Sequence, residues 1–247
     1  MPGLNWNRQR WGIDYHWNDG GEEWSGPWGN SHAQWFGTIL PRIHRYLPAR
    51  SIVEIAPGHG RWTGFLLSQC DAYLGVDLND SCTMACRERF ATVAHASFAT
   101  NDGLSLAMVP DGTVDFVFSF DSLVHAEKDV MENYIPQILR KLTPTGVAFL
   151  HHSNLAAISN PDMEKAEARG TSVSADVVAA LVAESGGLVL TQEIVTWAAI
   201  PLLDCLTTFG PAEGHKGRST QRLDNTLFMF EAGLIKKYYA VYQDVLP

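Results

Sequence analysis

Cysteine is scarce in this chain and never paired: Cys70, Cys82, Cys86 and Cys205 are the whole complement of 247 residues, with no C-x-x-C among them. Zinc sites built on cysteine pairs and small disulfide-stapled folds are therefore not expected, and Cys82 and Cys86, four apart on an expected helix, read as buried thiols. Basic residues are also few. The 18 Lys and Arg stand against 27 Asp and Glu, for a net charge of -9 and a pI near 5.4, and they are scattered along the chain. A surface that tracks phosphates needs a basic cluster, so nucleic acid is not an expected partner. No run approaches the roughly 18 apolar residues of a membrane span, and the start, Met1-Pro-Gly-Leu-Asn-Trp, lacks a signal peptide's apolar core. The expectation is a cytoplasmic protein with no membrane partner. Hydrophobic residues at 46% and charged residues at 18% give ample core material, and the length suits one α/β domain over 1–247.

A third shortage is more specific. The segment Ile52-Val-Glu-Ile-Ala-Pro-Gly-His-Gly-Arg61 reads as an apolar strand and a glycine turn that opens a helix, and Tyr73-Leu-Gly-Val-Asp77 reads as a neighbouring strand ending on an acid. A dinucleotide turn needs three glycines to face a pyrophosphate, yet Arg61-Trp62-Thr63 stands where the third would be. Glu54 at the head of the turn sits badly beside a pyrophosphate and suits a cationic ligand. S-adenosylmethionine (SAM) has a sulfonium and an ammonium and no phosphate. Asp77 can accept two hydrogen bonds from a ribose diol, while Gly58 and Gly60 let backbone approach a ligand. This E-x-A-P-G-x-G turn followed by an acid resembles the class I SAM-dependent methyltransferases.

Along the chain, the first 36 residues hold six of the eight tryptophans (Trp6, Trp11, Trp17, Trp24, Trp28 and Trp35) together with Tyr15 and Phe36, and show no clear period. So much ring surface would be costly in water, which predicts a lid or pocket wall over 1–46, with the core at 47–247. A helical stripe runs from Ser31 to Tyr46. Strands are predicted at 52–56, 72–76, 92–98, 114–119 and 146–151, alternating with helices at 61–69, 80–90 and 128–142. A helix from Ala175 to Ser185, strands at 187–197 and 226–230, and helical residues from Glu231 to Tyr242 complete the pattern. Alternation of this kind predicts a mostly parallel sheet with helices on both faces.

Ligands in such sheets sit at the carboxyl ends of the strands. After the third strand comes Asn101-Asp102-Gly103, where an acid and the following amide can meet an adenine. After the fourth comes Phe120-Asp121-Ser-Leu-Val-His125, and after the fifth His151-His152-Ser153-Asn154. A hydroxyl nucleophile needs a base or a metal. His125 and His152 are the candidate bases, with Asp121 orienting a ring; on a strand His151 and His152 point to opposite faces. No metal is expected, because the Asp and His spacing matches no ligand motif.

The wider resemblance, from Trp24 to Phe209, is to bacterial methyltransferases of sugar and natural-product pathways. It rests on Trp24-Ser-Gly-Pro-Trp28-Gly29, Gln34-Trp35, the glycine turn, Phe120 to His125, His151 to Asn154, and Leu203-Asp204-Cys-Leu-Thr-Thr-Phe209. It implies a Rossmann-like, seven-stranded sheet and SAM as cofactor, held by Glu54, Ala56, Gly58, Gly60, Asp77, Leu78, Asn101, Asp102, Gly103, Phe120 and Trp35. The acceptor would meet Trp24, Trp28, His151, Asn154 and Asp204. The leading reading is O-methylation of a small acceptor, a sugar or sugar-bearing metabolite. N-methylation of an amine, a SAM-binding protein without turnover, and a nicotinamide oxidoreductase are the alternatives, and homo-oligomerisation stays open.

Overall fold

The computed structural model describes residues 2–166 and 168–242. One sheet contains eight strands: β1 Ala49–Ile55, β2 Cys70–Asp77, β3 Ala96–Thr100, β4 Val114–Ser119, β5 Leu142–Ser153, β6 Gly187–Trp197, β7 Ile200–Pro211 and β8 Gln221–Asn225. Their order is β3-β2-β1-β4-β5-β7-β6-β8. The five strands from β3 to β5 are parallel, β7 runs antiparallel to both neighbours, and β8 lies parallel to β6. This is the Rossmann-like α/β fold, with eight strands where seven were expected.

The helices are α1 Leu4–Gln9, α2 Ser31–Gln34, α3 Leu40–Ile43, α4 Thr63–Leu67, α5 Asp80–Arg89, α6 Lys128–Lys141, α7 Ala175–Glu184 and α8 Phe228–Tyr238. The predicted stripe at 31–46 is one continuous helical run, passing from α2 through a π turn (Trp35–Ile39) into α3 and a 3-10 turn (His44–Tyr46). Asn30 starts it, its side chain accepting from the Ala33 amide at 2.8 Å, the usual role of an Asn N-cap.

Side chains of successive strand residues point to opposite faces, and the core divides accordingly. Ile52, Phe116, Phe118 and Phe149 pack with Ile39, Ile43, Leu66 and Phe228. Val53, Ile55, Val117 and Leu150 pack on the other face against the Val130, Tyr134, Ile138 stripe of α6 and Val178 and Val182 of α7. The α/β alternation therefore sandwiches the sheet and leaves the carboxyl ends of β1, β2 and β4 open at one end.

Two stretches differ from the sequence reading. Residues 226–230 were expected as a strand, but Phe228 opens α8, and the closing antiparallel pair is β6 with β7. From Leu203 to Thr208 every residue of β7 is buried, so no alternation betrays it as a strand. The N-terminal segment is not irregular: it contains α1, a π turn at Arg10–Asp14 and a 3-10 stretch at Glu22–Trp28, each too short to impose a visible period. Among the described residues no helix is long and apolar enough to cross a membrane.

Candidate active site

A cavity of about 990 Å³ lies at the carboxyl ends of β1, β2 and β4. At its base the chain leaves β1 through Ala56 and Gly58, with φ of 57° and 58°, the left-handed conformation that glycine adopts most readily. The Gly58 N–H donates to Asp77 Oδ2 at 3.1 Å, and the Asn79 N–H donates to Asp77 Oδ1 at 2.9 Å. Each carboxylate oxygen therefore keeps acceptor capacity for one ribose hydroxyl. Burial pushes the Asp77 carboxyl up to about 6 against the lowering effect of those amides. Asp77, Leu78, Ala56 and Gly58 all line the cavity.

Glu54 and Gly60 do not. Glu54 is 2% exposed and turned into the core, where it accepts from Tyr73 at 2.5 Å and Thr63 at 2.7 Å, and its own burial raises it to about 7. A Cβ on Gly60 would lie 2.6 Å from Phe90, so this glycine makes room for packing beneath the turn.

Of Asn101, Asp102 and Gly103, only Gly103 lines the cavity; a Cβ there would come within 2.7 Å of Leu4 and 2.8 Å of Leu78. Asp102 is exposed and caps its own loop, accepting from the Leu104 and Ser105 amides at 2.9 and 2.7 Å. Asn101 donates to Ser105 O and to the Tyr134 hydroxyl, at 2.8 and 2.9 Å. That leaves the Tyr134 proton free to donate into the cavity, which the ring lines.

Past β4, Asp121 adopts φ 63° and its carboxylate pairs with Arg61 at 2.8 Å, while its N–H donates to His151 Nδ1 at 3.1 Å. Asp121 does not orient His125. Instead His125 Nδ1 lies 2.9 Å from the carbonyl of Ala168 and so must carry the proton. Nε2 is then the basic nitrogen, and among the described residues it has no hydrogen-bond partner. Burial, with Arg169 nearby, lowers the ring to about 4, so it is neutral at physiological pH. His125 and Asp121 both line the cavity.

The other strand-end residues face elsewhere. His152, expected as a base, is fully buried on the opposite face of β5, with Nε2 2.8 Å from Thr207 Oγ1 and Nδ1 2.9 Å from Ser153 O. His151 packs on Phe120 and Trp197, with Nε2 3.3 Å from Asp204. Asp204 is held by Arg169, Oδ2 at 2.9 Å and Oδ1 at 3.2 Å, which keeps its carboxyl well below the usual range against the opposing effect of burial. Asn154 bridges Leu202 O and the Ala175 amide, each at 2.9 Å. Trp35 is buried among Trp62, Phe65 and Phe118, and Trp28 donates to Thr38 at 2.8 Å beneath Trp197. Phe120 lines a small neighbouring cavity with Arg61 and Trp62. The physical reason is common to these: apolar rings and paired polar side chains in buried surroundings satisfy the core first.

The cavity roof is aromatic. Trp6, Trp11, Trp17 and Trp24 line it, with Trp11–Trp24 and Trp17–Trp24 edge to face at 5.4 and 5.5 Å. Trp17 stacks on His59 at 4.5 Å and closes over Gly58, where a Cβ would lie 2.7 Å from the indole. Of the roof tryptophans only Trp24 was singled out for the acceptor; the others carried only the general signal of aromatic density. Arg61, Arg169 and Tyr134 were missed as site residues, and only Arg61, beside the turn, had a sequence cue. Among the described residues no group of three or more His, Cys, Asp or Glu side chains is placed to hold a metal ion.

Residues 52–146 match the family model described as a methyltransferase domain, a span that holds the glycine turn, Asp77, Asp121 and His125. No curated protein matches the sequence. Among solved structures, a protein of Pyrococcus horikoshii OT3 is similar at 22% identity and a TM-score of 0.56, over 73% of this chain and 91% of that one. A SAM-dependent methyltransferase from Mesorhizobium loti is similar at 15% identity and a TM-score of 0.54, over 72% and 97%. Another from Methanosarcina mazei is similar at 16% and 0.54, over 68% and 96%. At these identities the likeness speaks for the fold alone; the domain match over 52–146 adds a methyltransferase signature there, and S-adenosylmethionine is the cofactor indicated.

Proposed function

We propose that this protein transfers the methyl group of SAM to a hydroxyl of a small neutral acceptor, a sugar or sugar-bearing metabolite. The observation that carries the reading is one cavity that joins Asp77 and Gly58 to a neutral imidazole, His125, under four indoles. Two open acceptor positions on the Asp77 carboxylate suit a ribose diol, and Leu78, Gly103 and Tyr134 offer an apolar slot with one donor for an adenine. When bound, SAM supplies the electrophilic methyl group. The chain's own part is then to remove a proton: His125 Nε2 accepts it from the acceptor hydroxyl, and the Ala168 carbonyl fixes the ring by its bond to Nδ1.

Charge supports a neutral acceptor. Among the described residues that line the cavity, Arg169 is compensated by Asp204, and Arg10 shares the wall with the carboxylates of Asp14 and Glu23. Flat indole faces suit the apolar face of a pyranose. The test is a labelled-SAM assay against glycosides, nucleotide sugars and small amines, run on the parent chain and His125→Gln. Turnover of hydroxyl acceptors that falls by about 10² or more in the variant is expected. Turnover of amines alone, indifferent to His125, would replace this reading with N-methylation.

A further inference from the structure

Asn7 sits in the middle of α1, a position Asn does not favour, since its short amide competes with the backbone for hydrogen bonds. Its amide is used elsewhere. Nδ2 donates to the backbone carbonyl of His125 at 3.0 Å and shares its other proton between Pro2 O and Gly3 O, at 3.1 and 3.2 Å. Oδ1 accepts from the Trp11 indole Nε1 at 3.1 Å. One half-buried side chain thus ties the start of the chain, a roof tryptophan and the segment after β4, across 118 residues of sequence.

The Trp11 and His125 rings that it links lie 5.1 Å apart, tilted at 42°, with Trp6 at 6.1 Å from the same imidazole. His125 then has two anchors, Asn7 on its main chain and Ala168 O on its ring. α1 itself is seated: Leu4 packs over Gly103, and Arg8 donates to Asp102 O at 2.9 Å. We propose that Asn7 is a positioning residue which holds His125 and Trp11 at a fixed separation, so that the N-terminal helix helps build the slot for the acceptor. The inference rests on the assignment of His125 as the base.

Nitrogen NMR of the labelled full chain tests it, with the His125 ring identified by its loss in His125→Gln and the Trp11 indole by its loss in Trp11→Phe. The parent ring should show the proton on Nδ1 and stay neutral well below the ordinary histidine range, in the field of Arg169, Asp121 and Asp204. In Asn7→Ala the ring should mix tautomers and titrate higher, and the Trp11 N–H should exchange about fivefold faster or more, the worth of one hydrogen bond of roughly 1 kcal/mol. Asn7→Asp retains the acceptor for Trp11 and loses the donor to His125 O, so it should rescue the indole signal and leave the imidazole perturbed. SAM affinity by calorimetry should stay within about threefold in both variants, well under the tenfold that 1.4 kcal/mol represents. An unchanged His125 ring in Asn7→Ala overturns the proposal, as does loss of SAM binding there, which would make Asn7 a general brace. Full turnover of hydroxyl acceptors by His125→Gln would instead overturn the base assignment, whatever Asn7 does to the ring.

Discussion

Arg61 and Asp121, 60 residues apart, meet as a buried pair with Nη2 2.8 Å from Oδ2, and their side chains are only 6% and 10% exposed. The acid expected to steer a catalytic histidine is thereby committed to an arginine on the glycine turn. The Arg61 guanidinium also lies 4.5 Å over Trp62 and 5.5 Å from Trp24, so the pair links the turn to the roof. Removing one partner strands the other charge. Arg61→Met should destabilise the fold by about 3–5 kcal/mol in urea titrations, and Arg61→Met with Asp121→Asn should recover much of that loss. A loss in the double variant equal to the sum of the two single losses would show that the pair is not coupled.

The pH dependence follows from His125. Burial and Arg169 outweigh the upward pull of Asp121 and Asp204 and bring the ring from the ordinary value near 6.5 down to about 4. A base with this depressed value stays neutral, and competent, down to about pH 4. Turnover under saturating SAM should therefore show no histidine ionisation between pH 5 and 8, a range in which an ordinary imidazole of about 6.5 would titrate. A rate that climbs through a midpoint near 6.5 would assign the step to another group.

Asp77 carries the opposite shift. Its carboxyl is raised to about 6, and only the ionised form offers two oxygens as acceptors. SAM affinity measured by calorimetry should weaken as pH falls through about 6. Asp77→Ala should cost about 2–3 kcal/mol of binding, roughly 30-fold or more, with folding confirmed independently because the Gly58 and Asn79 amides lose their partner. Unchanged affinity in a folded variant would remove Asp77 from the ribose.

Glu54 predicts a stability effect with no direct part in binding. Its folded value of about 7 lies above the ordinary 4.5, so the favourable contribution of the neutral acid is complete below 4.5 and is lost as pH rises through 7. Glu54→Gln, which keeps an acceptor for Tyr73 and Thr63, should flatten the decline of unfolding free energy between about pH 4.5 and 7. The difference at the alkaline end should be on the order of 3 kcal/mol or less. Parallel curves for parent and variant would place the ionisation elsewhere.

The parallel half of the fold was legible because its strands are bounded by turns and its helices are amphipathic; β4 was predicted at 114–119 and lies at Val114–Ser119. The cavity wall was legible where the turn demands a special backbone, as at Gly58 and Gly103, or a lone acid ends a strand, as at Asp77. Sequence position could not reveal side-chain direction. His151 and His152 are adjacent letters, yet one touches Phe120 and the other Thr207 across the sheet. Asp102 looked like an adenine ligand because of its place after β3, but a short side chain before a glycine bonds most readily to its own loop. Arg169 was invisible for a different reason: its partner Asp204 lies 35 residues away on a strand that periodicity does not disclose.

The tryptophan roof also gives the protein optical properties of its own. Indoles held edge to face at 5.4–5.5 Å, as Trp24 is with Trp11 and with Trp17, mix their excited states, and such mixing depends steeply on separation and angle. Circular dichroism in the indole bands should therefore carry an exciton couplet that collapses when the roof parts and sharpens when a ligand seats beneath it. Each conformational step at this site can then be timed in stopped flow on the unlabelled chain, before any acceptor has been identified.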